Sequence, residues 1–186
     1  MKKMMNQSLK LMALVLALML GMNANAQQYL LAGSSKMEIK GTSSLHDWES
    51  AVEGMEGLIS MDGSNIKKLV LTIDVMSIKS GISSIMDKNT YRALKYNDGY
   101  HEITFVSEDI SMNGTEFTAK GNLSIAGTKK YTTVEGECTV LSDGGLNCKG
   151  EKKLKMTDYG VEPPTALMGT ITTGDEVRIS FDATFK

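Results

Sequence analysis

The sequence contains few residues of the kinds that carry metal or nucleophilic chemistry. It has two cysteines and two histidines, and His46 and His101 are too far apart to complete the four closely placed ligands of a zinc site. Neither Cys-x-x-Cys nor Gly-x-Ser-x-Gly occurs, so no motif marks thiol redox chemistry or a serine nucleophile. These absences argue against the enzyme classes with the clearest sequence signatures.

Clusters of basic residues are also scarce. The 20 basic residues include Lys2, Lys3 and Lys10, so residues 27–186 hold 17 basic and 22 acidic side chains and a net charge of about −5. The lysine pairs in that part are scattered among acids, whereas binding of a phosphate backbone needs clustered Lys and Arg. The sequence therefore predicts no nucleic-acid partner.

The one long apolar run lies near the N-terminus. Two lysines precede the run Leu11–Leu20, and a small-x-small cleavage site ends at Ala26. The run is shorter than the roughly 20 residues that a spanning helix needs, so a signal peptide is favoured over a membrane anchor. We expect residues 1–26 to be a signal peptide, residues 27–186 to be one domain, and the protein to be periplasmic or secreted.

Alternation of apolar and polar residues dominates the chain after residue 26. In residues 175–185 the side chains of Val177, Ile179 and Phe181 share one face of a strand. Four further stretches follow the strand pattern: residues 35–41, 67–75, 101–110 and 115–127. About eight strands with short turns predict an all-β, antiparallel, eight-stranded barrel, with an open sandwich as the alternative. Closure is favoured because it removes exposed strand edges.

Two segments interrupt the strands. Ser84 and Asp87 form a capping box with Asp in place of Glu, and apolar residues follow at helical spacing, which predicts one short inserted helix from Ser84 to Lys95. Residues 156–169 contain both prolines, Pro163-Pro164, which cannot lie in a central strand. We expect this segment to be a long loop that covers one end of the barrel.

The two cysteines lie on neighbouring predicted strands joined by a turn. An odd-length loop centred on Asp143 would place Cys138 opposite Cys148, whereas a two-residue turn would place Cys138 opposite Lys149. Both registers stay open at this level. A structural disulfide is therefore one candidate and a pair of buried thiols the other.

The stretch "GTSSLHDWES", Gly41 to Ser50, holds the only tryptophan and a His-Asp pair. Successive strand residues point to opposite faces, so His46 and Asp47 make a poor catalytic dyad if the segment is extended. If the segment turns, Asp47 bonds its own backbone. We expect the stretch to lie at the entrance of the barrel, with the indole N–H of Trp48 available to a polar group.

Residues 27–186 are rich in methionine. Thioether side chains fill irregular spaces and adapt to an apolar ligand, but they also fill an ordinary core. The interior of an eight-stranded barrel is just wide enough for one slender ligand, so both interpretations are open. These methionines are Met37, Met55, Met61, Met76, Met86, Met112, Met156 and Met168.

Several motifs together resemble the YceI-like family of exported, lipocalin-like barrels. They are the helix-bearing centre (residues 77–110), "GNLSIAGTKK" (121–130), the closing segment (163–185) and the Ser-x-x-His-Asp-Trp element at 43–48. Each motif alone is weak. Their order and spacing are fairly specific, and together they cover nearly all of residues 27–186.

The resemblance implies a lipocalin-like barrel whose tunnel holds a polyisoprenoid or similar long amphiphile, without covalent chemistry. The expected ligand is a long-chain apolar lipid, either a polyisoprenoid or an isoprenoid quinone. We expect Trp48 near a mouth and an apolar wall of inward residues. The wall residues are Phe105, Phe117, Leu123, Ile125, Val177, Ile179 and Phe181.

Two other functions remain as alternatives. One is a metal-dependent enzyme that uses His46, Asp47 and His101. The other is an envelope interaction module with a filled, dry core. A homodimer is a candidate assembly for any of them.

Overall fold

The computed structural model describes residues 27–166 and 169–186. The predicted signal peptide, residues 1–26, lies outside the described residues. The strands are β1 Gln27–Leu30, β2 Lys36–Ser43, β3 Trp48–Val52, β4 Met55–Asp62, β5 Asn65–Asp74, β6 Ile78–Lys79, β7 Glu102–Asn113, β8 Glu116–Ile125, β9 Thr128–Val140, β10 Leu146–Lys155, β11 Thr165–Ala166 and β12 Ile171–Phe185. One α-helix, α1, spans Ser84–Ala93, and 3-10 turns span Val75–Ser77, Tyr96–Asp98 and Thr157–Tyr159.

The strands form one antiparallel, strongly curled sheet. Eleven of them follow the order β1-β4-β5-β7-β8-β9-β10-β12-β2-β3-β6, and β11 pairs with β12. The curl brings the end of β1 to the end of β12, where Leu30 and Lys186 exchange two backbone hydrogen bonds of 2.9 Å. The sheet curls because each strand is rotated in the same sense relative to its neighbour.

The prediction of a closed eight-stranded barrel is wrong in its strand number. The all-β, antiparallel character and the inserted helix are confirmed, but the strands form an eleven-member path with two ends. The extra strands arise where a long strand is interrupted. Between β3 and β4 the chain contacts the 3-10 turn that follows β5, and Glu53 N–H donates to Ser77 O. Residues 31–35, which include a turn closed by a hydrogen bond from Ser35 N–H to Ala32 O, separate β1 from β2.

The predicted alternation places apolar side chains inside the curl. On β8, Phe117, Ala119, Leu123 and Ile125 are buried, while Lys120 between them is exposed. Most of the buried apolar residues join a single cluster that also contains Phe105 and Phe185. The interior of the sheet is therefore the apolar core of the protein.

The helix α1 follows β6 and begins at Ser84, as predicted, but its N-cap lies one residue earlier than predicted. The hydroxyl of Ser83, not Ser84, accepts the backbone N–H of Met86 and caps the helix. The helix ends at Ala93, two residues before the predicted Lys95, because Lys95 adopts a left-handed φ of 58°. Among the described residues no helix is long and apolar enough to span a membrane.

The hairpin of β9 and β10 resolves the cysteine register. Leu146 pairs with Val140, which leaves a five-residue loop centred on Asp143 and sets Cys148 directly opposite Cys138. The two cysteines form a disulfide. Of the two registers that the sequence left open, the odd-length loop is the one adopted.

Candidate functional site

An apolar cavity of about 150 Å³ lies inside the curled sheet. Only apolar atoms are exposed on its surface, because the inward face of each contributing strand carries aliphatic, aromatic or disulfide side chains. Lys36 and Lys152 also line it, but Lys152 Nζ donates to Thr133 O at 2.8 Å, so its ammonium group is bonded to the main chain. The predicted wall residues in this inner cavity are Phe105, Phe117, Leu123, Ile125, Ile179 and Phe181.

A second cavity, of about 310 Å³, lies between the sheet and three covering segments. The covering segments are the loop between β2 and β3 (residues 44–47), the helix α1 and residues 156–165. Their side chains in the cavity are Leu45, His46, Met86, Asn89, Thr90, Ala93, Met156, Tyr159, Val161, Pro164 and Thr165. The predicted site residues Trp48, Ile125, Val177 and Ile179 line the same cavity from the sheet.

The inner and the second cavity adjoin. Four isoleucines line both, so the two cavities share part of their walls. These residues are Ile39, Ile103, Ile125 and Ile179. All eight residues that the sequence predicts for the site line at least one of these two cavities.

The second cavity has polar atoms but no charged wall. Its polar lining within the described residues consists of hydroxyl, amide and imidazole groups, with no Lys, Arg, Asp or Glu. Burial raises the pKa of the Tyr159 hydroxyl, which therefore stays neutral at pH 7. The wall is thus polar in places but carries no carboxylate, ammonium or guanidinium group among the described residues.

Ser50 is the most deeply buried serine or threonine in the lining of the second cavity. Only 6% of its surface is exposed, and its side chain makes no hydrogen bond to another described residue. Its neighbours on the inward face of β3 are Trp48 and Val52. No fully buried side-chain N or O atom lacks a partner among the described residues, so the Ser50 hydroxyl is not a sealed, unsatisfied group. It faces the second cavity, where a ligand with an oxygen or N–H group can bond it.

Trp48 lines the second cavity, but its indole N–H is not free. It donates to Thr42 O at 3.0 Å, which corrects the expectation that this group is available to a ligand. The ring lies over Gly41, its pairing partner on β2, where a Cβ atom would overlap the indole. Trp48 therefore presents ring surface to the second cavity, not a hydrogen-bond donor.

The His-Asp pair forms a turn instead of a dyad. Ser43 Oγ accepts from the backbone N–H of Leu45 and His46, and His46 Nδ1 lies 2.7 Å from the main-chain oxygen of Asp47. His101 lines neither cavity, and its ring stacks on Tyr96 with 4.4 Å between centroids. Among residues 27–166 and 169–186, no three His, Cys, Asp or Glu side chains are grouped as metal ligands.

Two carboxylates hold two of the three covering segments in place. Asp87 Oδ1 accepts from both the backbone N–H and the hydroxyl of Ser80, at 2.8 and 2.7 Å, and these bonds lower the pKa of Asp87. Asp175 accepts from the hydroxyl and the N–H of Thr157, at 2.6 and 2.8 Å, which lowers the pKa of Asp175. Asp87 holds the start of α1, and Asp175 holds the start of residues 156–165.

Sequence reasoning did not identify Ser50 or the helix residues as part of a cavity. The sequence does indicate that Ser50 points inward, because it alternates with Trp48 and Val52 and residues two apart share one face of a strand. For the helix, the apolar stripe was recognised from Met86 and Thr90 onward. That this stripe faces a cavity, and not the core, depends on tertiary contacts that a stripe alone does not specify.

The curled antiparallel sheet with an apolar interior places the chain in the class of all-β proteins. Within that class, this chain belongs to the YceI-like family, since the family model for the YceI-like domain matches residues 31–185. Comparison of the sequence with curated proteins found no match.

Three solved structures share the fold. BcnA of Burkholderia cenocepacia is 21% identical with a TM-score of 0.69, and the match covers 81% of this chain and 95% of that one. A polyisoprenoid binding domain from Saccharophagus degradans is 14% identical, TM-score 0.69, covering 87% and 99%. A YceI protein of Campylobacter jejuni is 18% identical, TM-score 0.60, covering 73% and 82%. At these identities the likeness concerns the fold.

Proposed function

We propose that this protein binds a polyisoprenoid or similar long-chain amphiphile in its interior and performs no covalent chemistry. The observation that carries the proposal is the pair of adjoining cavities, one exposing only apolar atoms and the other mainly apolar with a few polar groups. The similar structure from Saccharophagus degradans is a polyisoprenoid binding domain, which supports the same ligand class.

The tail of the ligand occupies the inner cavity. At roughly 25 cal/mol per Å² of apolar area removed from water, an enclosed chain gains several kcal/mol without any charged contact. Phe117 and Phe181 form the wall there, and Ile125 and Ile179 form the passage to the second cavity. No acid or base is needed for binding of this kind.

The polar end of the ligand occupies the second cavity. An isolated charge would be costly in a wall that offers no opposite charge, so a neutral oxygen-bearing group such as that of an isoprenoid quinone fits better. The hydroxyl of Ser50 supplies a hydrogen bond to it, and the face of Trp48 packs against it.

Native mass spectrometry with organic extraction of the protein purified from its own host tests this function. We expect a reproducible lipid mass in the wild type and its loss in Ile125→Trp, which fills the passage between the cavities. Asn122→Trp is the matched control, since Asn122 lies on the exposed face of the same strand. A folded protein that carries no lipid and takes up none from solution contradicts the proposal.

The proposed location is the periplasm or the exterior, after removal of residues 1–26. The charged start, short apolar run and Ala-x-Ala site carry this part of the proposal. N-terminal sequencing of the protein from the host's envelope fraction should give Gln27 as the first residue. Recovery from the cytoplasm with Met1 intact would refute it.

A further inference from the structure

The ladder between β9 and β10 covers only part of the two strands. Its last pair is Glu135 with Glu151, so residues 128–134 of β9 and 152–155 of β10 do not pair with each other. There β9 continues its ladder with β8, and β10 continues its ladder with β12. No main-chain hydrogen bond joins the two unpaired stretches in the described part of the chain. We call this interruption of the sheet the β9–β10 gap.

The β9–β10 gap borders both cavities. Val134 and Lys152, the first residues beyond the last pair, line the inner cavity from the two sides of the gap. Farther along β10, Leu154 lines the second cavity, and Met156 follows it there. Separation of the two strands at this point would therefore open a path from the side of the sheet to the place where the two cavities share their walls.

The side chain of Lys152 crosses the gap. Its alternation with Gly150 and Leu154 places it on the inner face of β10. Its Nζ donates to Thr133 O on β9 at 2.8 Å, and among the described residues this is the one hydrogen bond between the two unpaired stretches. Lys152 has no carboxylate partner there. Because a lysine side chain is flexible, its rotation would release the gap without breaking any bond of the ladder.

The end of the gap is covered by the 3-10 turn Thr157–Tyr159, which contacts β9. Lys130 Nζ of β9 lies 3.0 Å from Asp158 Oδ1 and 5.7 Å from the centroid of the Tyr159 ring. Both partners of this ion pair are about half exposed, so the pair stabilises the contact only weakly. Among the described residues, no main-chain hydrogen bond joins residues 157–161 to β9. This end of the gap is therefore also held by side chains alone.

A second ladder, between β5 and β7, also stops short. Its pairs end before Lys68 and Glu108, which form an ion pair of 2.8 Å on the exposed surface. The residues beside this second gap, Ile66 and Ile110, line the inner cavity but not the second one. A ligand that passed here would not meet the polar groups of the second cavity. The β5–β7 gap therefore suits an amphiphile less well and provides a matched control.

We propose that the β9–β10 gap is the portal through which the lipid enters and leaves the interior, and that the bond from Lys152 to Thr133 O keeps it closed. The tail passes between the strands into the inner cavity, and the polar end stays in the second cavity, which the same gap borders. Because a portal needs a ligand, this inference rests on the proposed function.

Stopped-flow uptake of all-trans-retinol, a neutral isoprenoid alcohol, tests the bond from Lys152. Energy transfer to retinol quenches Trp48, the only tryptophan, which lines the second cavity. In lipid-free Lys152→Met we expect uptake and release each to be roughly tenfold faster than in wild type, since opening no longer breaks a charge-assisted bond. The dissociation constant should change little, because methionine keeps this part of the wall apolar. Lys153→Met removes an exposed side chain that pairs with Glu176, and it should keep the wild-type rates.

A covalent link across the gap tests the portal itself. In Thr133→Cys/Lys153→Cys a short bismaleimide joins the two strands, and the two native cysteines do not react because they are bonded to each other. We expect this link to slow retinol uptake by about tenfold or more relative to the same variant capped with N-ethylmaleimide, since the strands can no longer separate. The same link in Lys68→Cys/Glu108→Cys closes the β5–β7 gap and should leave uptake unchanged. Intact mass checks that each molecule carries one link, and circular dichroism checks the fold.

Three results would overturn the portal although retinol still binds at equilibrium. They are equal uptake rates in the two linked variants, slower uptake only when the β5–β7 gap is linked, and the same rates in Lys152→Met as in Lys153→Met. Each of them leaves the proposed function intact. Wild type that binds no retinol and yields no lipid on extraction refutes the proposed function instead, and the portal with it.

Discussion

The rings of Phe117 and Phe181 face each other inside the sheet, with 6.3 Å between their centroids. Gly136 on β9 and Gly150 on β10 are paired directly opposite each other. A Cβ at Gly136 would lie 2.8 Å from the Phe117 ring, and a Cβ at Gly150 would lie 2.6 Å from the Phe181 ring. The absence of two side chains thus makes room for the two aromatic rings that line the inner cavity.

Replacement of Gly150 by alanine should therefore destabilise the protein. The added methyl group meets the Phe181 ring and the main-chain oxygen of Glu135, so we expect a loss of about 1–3 kcal/mol in the free energy of unfolding. Urea denaturation followed by circular dichroism measures it. Gly33→Ala is the control, since a Cβ there meets nothing within 4 Å, and equal stability of the two variants would contradict the account.

The inner wall could be predicted from the sequence because it depends on a local rule. Strand residues two apart share a face, and that rule alone placed Phe117, Ile179 and Phe181 inside. The Gly136–Gly150 pair is not visible in the same way, since its role depends on register with rings from other strands. The breaks that divide the long strands also lack a sequence signal, because they are caused by neighbouring segments.

The opening of the cavity was predicted less well. The sequence marked Trp48 as an entrance residue, but the Thr42 carbonyl that takes its N–H is reached only through the turn at 44–47. Ser83 and Ser84 are both serines before a helix, so the sequence alone did not decide which one caps it. Contacts between segments, not propensities, settled both points.

Displacement of the Trp48 ring should be visible in its fluorescence. A methyl group in Gly41→Ala overlaps the indole, so the ring must turn away and lose its bond to Thr42 O. Because Trp48 is the only tryptophan, we expect a red shift of the total emission maximum. Gly33→Ala should leave the spectrum unchanged, and an unshifted Gly41→Ala spectrum would mean that the ring does not lie over Gly41.

The disulfide should stabilise the β9–β10 hairpin without being needed for the fold. Cys138 and Cys148 are 10 residues apart, and closure of a loop of that length stabilises by about 2–3 kcal/mol in the chain-entropy treatment. Cys138→Ser/Cys148→Ser should lower the urea midpoint accordingly and keep the far-ultraviolet spectrum. Reduction of wild type should reproduce the loss, whereas a reductant-insensitive midpoint would be incompatible with the bond.

Two buried serines should respond differently to alanine. Ser107 Oγ donates to Lys120 O at 2.7 Å, so Ser107→Ala should cost about 1 kcal/mol of stability in lipid-free protein. Ser50 has no partner among the described residues, so Ser50→Ala should cost little stability and instead weaken binding of an oxygen-bearing lipid by about two- to tenfold. Calorimetry and lipid titration separate the two effects. Unchanged lipid affinity in Ser50→Ala would remove this serine from the site.

The hydrogen bonds from Ser80 to Asp87, which hold the start of α1, should weaken at low pH. Hydrogen bonds from the backbone N–H and hydroxyl of Ser80 lower the pKa of Asp87 below its ordinary 3.8, so its stabilising effect is complete above that value. The effect is lost as the pH falls through the lowered pKa, because the protonated carboxyl is a weaker acceptor. We expect amide exchange in α1, corrected for the intrinsic rate, to accelerate only below about pH 4.

Asp87→Asn should show that faster exchange already at neutral pH, since the amide carries no charge to strengthen the two bonds from Ser80. Asp175→Asn is the matched variant: it removes the charge that holds Thr157 and should loosen residues 156–165 while leaving α1 protected. If both variants loosened both segments equally, the two covering segments would open as one unit. Protection of α1 that is independent of pH in wild type would show that Asp87 does not hold the helix.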